Sequence, residues 1–374
     1  MTPMQGYTEQ LEELKRRDCF RSIPPIDYKQ DAYAIVAGKP LLNLSSNDYL
    51  GLSTRTDVRR EFLERYGNTE EFLFSAASAR LLSGTSAVYA RLEARTASLF
   101  GKEACLLFNS GYQCNLGVVS TLVGKGDVIF SDKLNHASIV AGMRASGADF
   151  FRYAHRDYDH LEKFLHQQRG KYRRALIISE SVFSMDGDVA DVDALIRLKR
   201  AHDALLMLDE AHAFGVFGQR LAGVGEDMDV GVVTATFGKS LASVGAFCVA
   251  DKTVIDLLVN KAAPFIFSTA LPPVNVLWTY FLLQERYALL QERRQALRQL
   301  CAALNSPTQI LPTPVGDSAA AATLAARLRE EGFFVLPIRP PTVPAGTARL
   351  RLSLTASMRA EDIRALLRRI EELR

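Results

Sequence analysis

Two hydrophobic patterns alternate along the chain between about Leu41 and Ala270. Short, predominantly apolar runs alternate with longer segments such as the one around Leu92, in which Val88, Leu92 and Leu99 share one helical face. Apolar runs of this length are typical of strands that are covered on both faces, as in a parallel sheet. The runs occupy residues 104–108, 128–130, 175–178, 205–208 and 230–235. The alternation predicts an α/β domain of the doubly wound type.

The pattern changes after Pro272-Pro273. We expect one long helix that includes Leu283, Leu290 and Leu297, then strands near residues 333–338 and 348–354, and a closing helix. The opening twenty residues are also predicted to be helical. The sequence therefore predicts an N-terminal helical segment (1–40), a large α/β domain (41–272), and an interdomain helix with a small α+β domain (273–374).

Composition narrows the class of protein further. The 374 residues include 45 Lys and Arg against 42 Asp and Glu, so the net charge is 45 − 42 = +3, and 48% are hydrophobic. This composition excludes a disordered chain and gives no electrostatic basis for nucleic-acid binding. Five scattered cysteines indicate free thiols and no zinc site. The longest charge-free stretch, 262–284, is interrupted by prolines, so we expect no membrane span and a soluble, cytoplasmic protein.

Candidate chemistry follows the predicted strands, because ligands of open parallel sheets bind beyond the carboxyl ends of the strands. Ser110, Gly111 and Tyr112 follow the run at 104–108 and precede a predicted helix. Backbone N–H groups at a helix start suit a phosphate, although an ordinary strand-to-helix turn fits this motif equally well. His136 follows the run at 128–130. By itself, such a histidine is more often structural than catalytic.

Two further strand ends carry ionisable groups. Asp209 and His212 follow the run at 205–208, and Lys239 follows the run at 230–235. A carboxylate with a nearby imidazole can hold a proton on a heterocycle and orient it. A lysine whose pKa is lowered by burial can form a Schiff base. Each residue alone is weak support, because most lysines are solvated.

The segments Asp209-Glu210-Ala211-His212 and Gly238-Lys239-Ser240 also imitate parts of a P-loop helicase. A P-loop requires glycine five residues before Gly238, where this chain has Val233. The nucleotide loop would also have to precede the acidic motif, and here it follows. The sequence therefore argues against a nucleotide-driven motor. It also contains no G-x-S-x-G motif of a serine hydrolase.

Taken in order, these motifs resemble the enzymes of the aspartate-aminotransferase-like fold type I, which use pyridoxal 5′-phosphate (PLP). Within that group the chain resembles the α-oxoamine synthase family from about residue 10 to its end. The motifs that carry this resemblance are the segments 43–52, 135–138, 182–188, 209–212, 234–239 and 268–273. The resemblance implies a large domain with a mostly parallel central sheet and a smaller C-terminal α+β domain.

The resemblance also implies roles for individual residues. Lys239 would carry the cofactor covalently and Asp209 would pair with its ring nitrogen. His136 would stack on the ring, while His212 and Ser184 would hydrogen-bond near the ring oxygen. The phosphate would be held by the segment 110–112, by Thr236, and by Ser268 and Thr269 of a neighbouring subunit, which implies a homodimer. Metal ligands are not implied.

The segment 338–352 most resembles the family member that condenses L-alanine with a pimeloyl thioester, carried by coenzyme A or by an acyl carrier protein. Arg351 would bind the carboxylate of the amino acid, and Asn47 would contact the same end of the substrate. Arg21 is a further candidate for substrate binding, since a basic cluster near the N-terminus suits phosphates or an acidic partner.

Two segments depart from the family pattern. Residues 75–80 read Ser-Ala-Ala-Ser-Ala-Arg where the family has a glycine-rich stretch, and residues 355–358 read Thr-Ala-Ser-Met in place of Thr-Ala-Ala-His. Relatives that use glycine or serine with other acyl-CoA substrates share the cofactor residues, so they remain alternatives. A non-catalytic partner subunit that keeps the fold is a further alternative, and the presence of Lys239 argues against it.

Overall fold

The computed structural model describes residues 3–374. The chain forms two compact units, which are described separately. The larger unit comprises residues 55–184 and 188–295. The smaller unit comprises the described residues up to Thr54, residues 185–187 and residues 296–374. Residues 41–54 belong to the smaller unit, although the predicted large domain (41–272) includes them. Residues 273–295 belong to the larger unit, although the predicted C-terminal segment (273–374) includes them. The predicted domain bounds remain predictions.

Strands form one seven-stranded sheet in the larger unit and two small sheets in the smaller unit. The strands are β1 Tyr28–Gln30, β2 Tyr33–Val36, β3 Lys39–Asn43, β4 Ala104–Phe108, β5 Val128–Asp132, β6 Asp149–Tyr153, β7 Ala175–Glu180, β8 Leu205–Asp209, β9 Val232–Thr236, β10 Ala246–Ala250, β11 Ile310–Gly316, β12 Phe333–Phe334, β13 Pro337–Ile338 and β14 Ala348–Ser353.

The larger unit is built on a seven-stranded sheet in the order β4-β10-β9-β8-β7-β5-β6. Strands β6, β5, β7, β8 and β9 are mutually parallel, and β10 is antiparallel to both β9 and β4. Strands β7 and β10 are buried along their whole length, as expected for strands covered on both faces. The fold class is therefore the predicted α/β class with a mostly parallel central sheet.

Helices occur in both units. They are α1 Pro3–Arg16, α2 Thr56–Tyr66, α3 Ala87–Phe100, α4 Gly111–Leu122, α5 Ala137–Ser146, α6 Tyr158–Gln168, α7 Val192–Ala201, α8 Lys252–Lys261, α9 Ala263–Ile266, α10 Pro273–Gln284, α11 Tyr287–Ala303, α12 Ser318–Glu330 and α13 Ala360–Leu373. Helices α4, α5, α8 and α9 contribute to one hydrophobic core with the seven-stranded sheet, in which Val118, Ile129 and Met207 are fully buried.

The smaller unit contains two small sheets. One has the order β1-β2-β3-β12 and the other the order β11-β14-β13. The closing helix α13 buries Ile363, Leu366 and Ile370, the face that the sequence pattern predicts. The second sheet is antiparallel throughout, with Leu352 of β14 opposite Leu311 of β11.

Three details of the predicted elements were wrong. The expected long helix is two helices, because α10 ends at Gln284 and α11 begins at Tyr287. The strand expected at 333–338 is divided between the two small sheets. The N-terminal helix ends at Arg16, since Asp18 adopts the left-handed conformation with φ of 52°. Within residues 3–374, every helix is too short or too polar for a membrane span.

Candidate active site

The carboxyl ends of the parallel strands meet at one cavity of the larger unit, with a volume of about 200 Å³. Strand β7 ends at Glu180, β8 at Asp209 and β9 at Thr236, and all three residues line the cavity. The start of α4 and the loop after β9 complete its wall. Of the residues predicted from sequence, the cavity brings together Gly111, Tyr112, His136, Asp209, His212, Thr236 and Lys239.

Asp209 is a buried carboxylate that is held on both oxygens. Its Oδ2 accepts a hydrogen bond from Asn115 Nδ2 at 2.7 Å, and its Oδ1 accepts one from the backbone N–H of Ala211 at 2.9 Å. Only 4% of its surface is exposed. Hydrogen bonds of this kind offset the cost of burying a charge. Asp209 is therefore fixed in orientation at the end of β8.

Lys239 and His212 are in direct contact at the cavity. Lys239 Nζ lies 2.7 Å from His212 Nε2. His212 is buried, at 6% exposure. An imidazole at this distance orients the amine and can exchange a proton with it. The pair supplies a nucleophilic amine that lines a cavity also lined by Asp209.

The start of α4 lies where the sequence predicts phosphate contacts. Ser110 caps this helix, and its Oγ accepts a hydrogen bond from the N–H of Gln113 at 3.2 Å. Thr236 Oγ1 donates to Gly245 O at 2.8 Å and accepts from Gly238 N at 3.1 Å. The first N–H groups of a helix have no partner within the helix, and the helix dipole favours negative charge there. Gly111 and Tyr112 present this end of α4 to the cavity.

His136 caps α5 at the same edge of the sheet. Its Nδ1 lies 2.7 Å from Ser138 Oγ and accepts a hydrogen bond from the N–H of Ser138 at 3.2 Å. Desolvation lowers the pKa of this imidazole, Asp209 opposes the shift, and Lys239 adds to it. Burial therefore disfavours the charged form of the ring where it lines the cavity.

Two more carboxyl groups lie close to Asp209. Burial raises the pKa of Glu180 well above its usual range, and the negative charge of Asp209 adds to the effect. Burial likewise raises the pKa of Glu210 to about 7, although hydrogen bonds from Ser181 and from the N–H groups of Gly225 and Val224 oppose it. Negative charge at this edge of the sheet is thus concentrated on Asp209.

Other predicted residues of the larger unit lie outside the cavity lining. Ser184 is half-buried in the segment that follows β7. Ser268 and Thr269 line a second, smaller cavity, where Asn109 Nδ2 donates to Thr269 O at 2.7 Å. Their predicted contact with a neighbouring subunit remains a prediction.

The predicted substrate residues belong to the smaller unit. Arg351 on β14 is buried, and its guanidinium donates to Asn47 Oδ1 at 3.0 Å, to Ser353 Oγ at 2.6 Å and to the Tyr49 hydroxyl at 3.2 Å. Arg351 and Asn47 are thus brought together as the sequence predicts. The exposed Arg21 is placed differently, since its guanidinium donates to Arg339 O, Pro340 O and Thr342 Oγ1. These bonds attach the N-terminal segment to the 339–342 loop, and the assignment of Arg21 to substrate stays a prediction.

Sequence reasoning missed Asn115, Glu180 and Thr234, which also line the cavity. Glu180 could have been found, because it ends an apolar run as Asp209 does. Asn115 lies one helical turn after Gly111, so the α-helical period places both on one face of α4. Thr234 begins the segment 234–239 that carries part of the family resemblance, but it lies within a buried strand and was not predicted as a site residue.

Comparisons with known proteins agree with this arrangement. The chain belongs to the aminotransferase class I and II family, which matches residues 39–370. A relative from Haemophilus influenzae, provisionally named 8-amino-7-oxononanoate synthase, is 44% identical over 96% of this chain and 98% of its own length. A relative from Neisseria meningitidis with the same provisional name shows the same identity and coverage.

Solved structures give the same fold. Serine palmitoyltransferase from S. paucimobilis, which was solved with bound PLP, matches with a TM-score of 0.87 and 27% identity over 98% of this chain and 96% of that one. The 8-amino-7-oxononanoate synthase from Francisella tularensis matches with a TM-score of 0.72 and 25% identity over 89% of this chain and 97% of that one. The predicted α-oxoamine synthase family and the predicted fold are confirmed.

His155 forms a pH-dependent contact with two carboxylates in the larger unit. His155 Nδ1 lies 3.0 Å from Asp132 Oδ1, and its Nε2 lies 2.9 Å from Asp188 Oδ2. Asp132 ends β5, four residues before His136. Burial alone would lower the pKa of His155, but the hydrogen bonds that its ring N–H groups donate to the two carboxylates outweigh burial and raise the pKa to about 9.

This raised pKa predicts how stability depends on pH. The charged form is favoured in the folded protein, so its contribution is complete below about pH 6.5, the unperturbed value, and is lost as the pH rises through about 9. We expect up to about 3 kcal/mol, since one pKa unit corresponds to about 1.4 kcal/mol. Urea unfolding of the wild type and of His155→Gln between pH 6 and 10 measures it. Equal pH slopes for the two proteins would contradict the prediction.

Proposed function

We propose that this α-oxoamine synthase, a PLP-dependent C-acyltransferase, condenses L-alanine with a pimeloyl thioester. This is the reaction of 8-amino-7-oxononanoate synthase in biotin biosynthesis. The observation that carries the proposal is the 44% identity, over nearly the full length of both chains, to relatives provisionally named for that reaction. The thioester carrier is coenzyme A or an acyl carrier protein.

The cavity residues fit PLP by their chemistry. Asp209 offers a buried carboxylate for a protonated ring nitrogen, the N–H groups at the start of α4 offer donors for a phosphate, and Lys239 offers an amine for the aldehyde. Thr236 is also proposed to contact the phosphate, which would require its hydroxyl to turn away from Gly245 O. Glu180 Oε1 is a buried oxygen with no hydrogen-bond partner, which suits a cavity wall that contacts a polar group. When bound, PLP supplies the electron sink that stabilises a carbanion at Cα of the amino acid.

The chain's own groups would then bind, orient and move protons. Lys239 would hold the cofactor through its Nζ and, when that amine is free, would take the proton from Cα of L-alanine. Because His212 Nε2 lies 2.7 Å from that Nζ, it keeps the amine oriented and can share its proton. The carboxylate of Asp209 would keep the proton on the ring nitrogen, and His136 and Ser184 are proposed to contact the ring face and the ring oxygen.

Arg351 is proposed to bind the carboxylate of L-alanine. A guanidinium can make two parallel hydrogen bonds to a carboxylate, which an ammonium cannot reproduce. The oxygens of Asn47, Tyr49 and Ser353 already fix the plane of this guanidinium. Asn47 is proposed to contact the same end of the substrate.

Serine palmitoyltransferase is the second candidate function, since those structures match this fold with a TM-score of 0.87, above the 0.72 of the oxononanoate synthase structure. Fold similarity does not discriminate between the substrates of enzymes that share cofactor residues. The sequence identity of 27% to serine palmitoyltransferase, against 44% to the provisionally named synthases, favours L-alanine.

We also propose a homodimer, supported by an exposed apolar surface on the larger unit. The side chains of Phe74, Leu82 and Phe267 are 78%, 78% and 84% exposed. Their segments lie side by side, because Val274 N donates to Leu73 O and Ala270 N donates to Ser78 O, both at 2.9 Å. Contiguous exposed apolar residues are typical of protein interfaces. Ser268 and Thr269 lie within this surface, which agrees with their proposed role in a neighbouring subunit.

The five free, buried cysteines suit a reducing cytoplasm.

The covalent role of Lys239 predicts the effect of removing its amine. We expect Lys239→Ala to lose the covalent link to PLP and at least about 10³-fold in turnover, because Lys239 supplies the one side-chain amine among the described residues that line the cavity. Borohydride reduction followed by peptide mass spectrometry locates the link. Lys125→Ala, at an exposed lysine, is the matched control and should behave as the wild type. A retained link or normal turnover in Lys239→Ala would contradict the assignment.

The substrate proposal predicts which amino acid perturbs the bound cofactor. We expect the visible spectrum to shift at the lowest concentration with L-alanine, and at higher concentrations with glycine or L-serine. Turnover should require a pimeloyl thioester, and mass spectrometry of the product should show loss of carbon dioxide. A response at lowest concentration to L-serine with a long acyl-CoA would transfer the assignment to serine palmitoyltransferase.

The dimer proposal predicts that charge on the apolar surface separates the subunits. Phe267→Asp should shift the mass measured by light scattering from two chains toward one, because an unpaired carboxylate is costly to bury. Ile23→Asp is the control, since Ile23 is 94% exposed in the smaller unit and lies outside this surface. A wild type that is monomeric at micromolar concentration would rule the proposal out.

A further inference from the structure

A buried asparagine joins two of the proposed cofactor residues through hydrogen bonds. Asn115 on α4 is 3% exposed. Its Nδ2 donates to Asp209 Oδ2 at 2.7 Å and to Ser138 Oγ at 3.0 Å, and its Oδ1 accepts from Thr234 Oγ1 at 2.8 Å. The single side-chain amide thus connects the end of β8 and the middle of β9 with the start of α5.

The chemistry of these partners fixes the orientation of the amide. An ionised carboxylate can only accept hydrogen bonds, so Asn115 must turn its NH₂ group toward Asp209. The opposite orientation would place an amide oxygen 2.7 Å from a carboxylate oxygen. With both N–H bonds used, the amide oxygen is left to accept from the hydroxyl of Thr234. The negative charge of Asp209 therefore determines which way the whole group points.

The same polarity continues to His136. Ser138 Oγ accepts from Asn115, so its own hydroxyl proton is available for His136 Nδ1, 2.7 Å away. The backbone N–H of Ser138 also points at Nδ1, at 3.2 Å. Two donors that converge on one ring nitrogen require that nitrogen to carry a lone pair. The proton of the neutral imidazole is then on Nε2.

We propose that Asn115 is a positioning residue that fixes Asp209 as an acceptor and, through Ser138, sets His136 in its Nε2–H tautomer. The proposal rests on the proposed function, in which Asp209 pairs with the cofactor ring and His136 stacks on it. The charge of Asp209, which would hold the proton on the ring nitrogen, thereby also determines the tautomer of the stacked imidazole.

Close packing of α4 against α5 makes this link possible. A Cβ atom added at Gly142 of α5 would lie 2.8 Å from Val119 Cβ and 3.1 Å from the backbone oxygen of Asn115. Real side chains do not tolerate the first distance. The glycine therefore allows α5 to approach α4 closely enough for Ser138 and Asn115 to bond.

Nitrogen-15 NMR of the histidine-labelled holoenzyme tests the tautomer, with the His136 signal assigned from His136→Gln. We expect the wild type to show the Nε2–H form alone. Ser138→Ala should lower the ratio of Nε2–H to Nδ1–H forms at least threefold, by roughly 0.7 kcal/mol, because one of the two donors to Nδ1 is lost. Asn115→Asp should increase the Nδ1–H form further, since a carboxylate there would accept the Ser138 proton. An unchanged tautomer ratio in both variants would overturn the proposal.

Cofactor affinity distinguishes the contact of Asn115 with Asp209 from its contact with Ser138. Asn115→Leu removes a hydrogen bond to a charged group, so the Kd for PLP should rise roughly 10- to 100-fold. Ser138→Ala leaves the Asp209 contact in place and should change that Kd by less than about threefold. Ser179→Ala is the matched control, because Ser179 is a buried serine of β7 whose hydroxyl donates to Glu180 O, outside this link. Equal Kd values for Asn115→Leu and Ser179→Ala would contradict the role of Asn115.

A folding defect is distinguished by a second variant. If Asn115→Leu does not fold, Thr234→Val removes only the donor to Asn115 Oδ1 and should still raise the Kd for PLP above that of Ser179→Ala. A wild type that binds no PLP would defeat the proposed function, whereas the tautomer of His136 would still be measured on that protein. A wild type that binds PLP, with variants that keep its tautomer and affinity, would defeat this inference alone.

Discussion

The burial of one carboxylate, that of Asp209, is the constraint around which the site of the larger unit is organised. A charge at 4% exposure is costly unless it is hydrogen-bonded. The bonds come from the helix that follows β4, through Asn115, and from the backbone just beyond β8, through Ala211. The Ala211 bond is local, but Asn115 is 94 residues from Asp209, so its bond forms only when α4 is packed at the end of β8.

The two carboxyl groups beside Asp209 have raised pKa values. Glu180 ends the strand beside β8, and burial together with the Asp209 charge raises its pKa well above the usual range. Glu210 is raised to about 7. Two like charges in one buried site are strongly unfavourable, so the negative charge of Asp209 favours the protonated forms of both neighbours. The cavity therefore combines one fixed anion, the imidazole of His136 and an amine, Lys239, which suits a cationic heterocycle that also carries a phosphate.

Local patterns predicted much of this architecture from sequence. The run at 104–108 is β4 to the residue, and the polar residues after β8 and β9 line the cavity. The break between α10 and α11 was missed, because the apolar face continues across Glu285 and Arg286 although the helical backbone does not. Asn115 was missed for a different reason. Its partner Asp209 is 94 residues away, and no local pattern encodes a contact of that separation.

The long separations in the Asn115 link have a consequence for how the protein acquires its cofactor site. Asn115 bonds to Thr234 across 119 residues and to Asp209 across 94. Contacts of this kind form late, because chain entropy must be lost before they are made. A nascent or partly folded chain thus lacks the site even when α4 and α5 are present. Capture of the cofactor should accordingly mark the end of folding rather than guide its early steps.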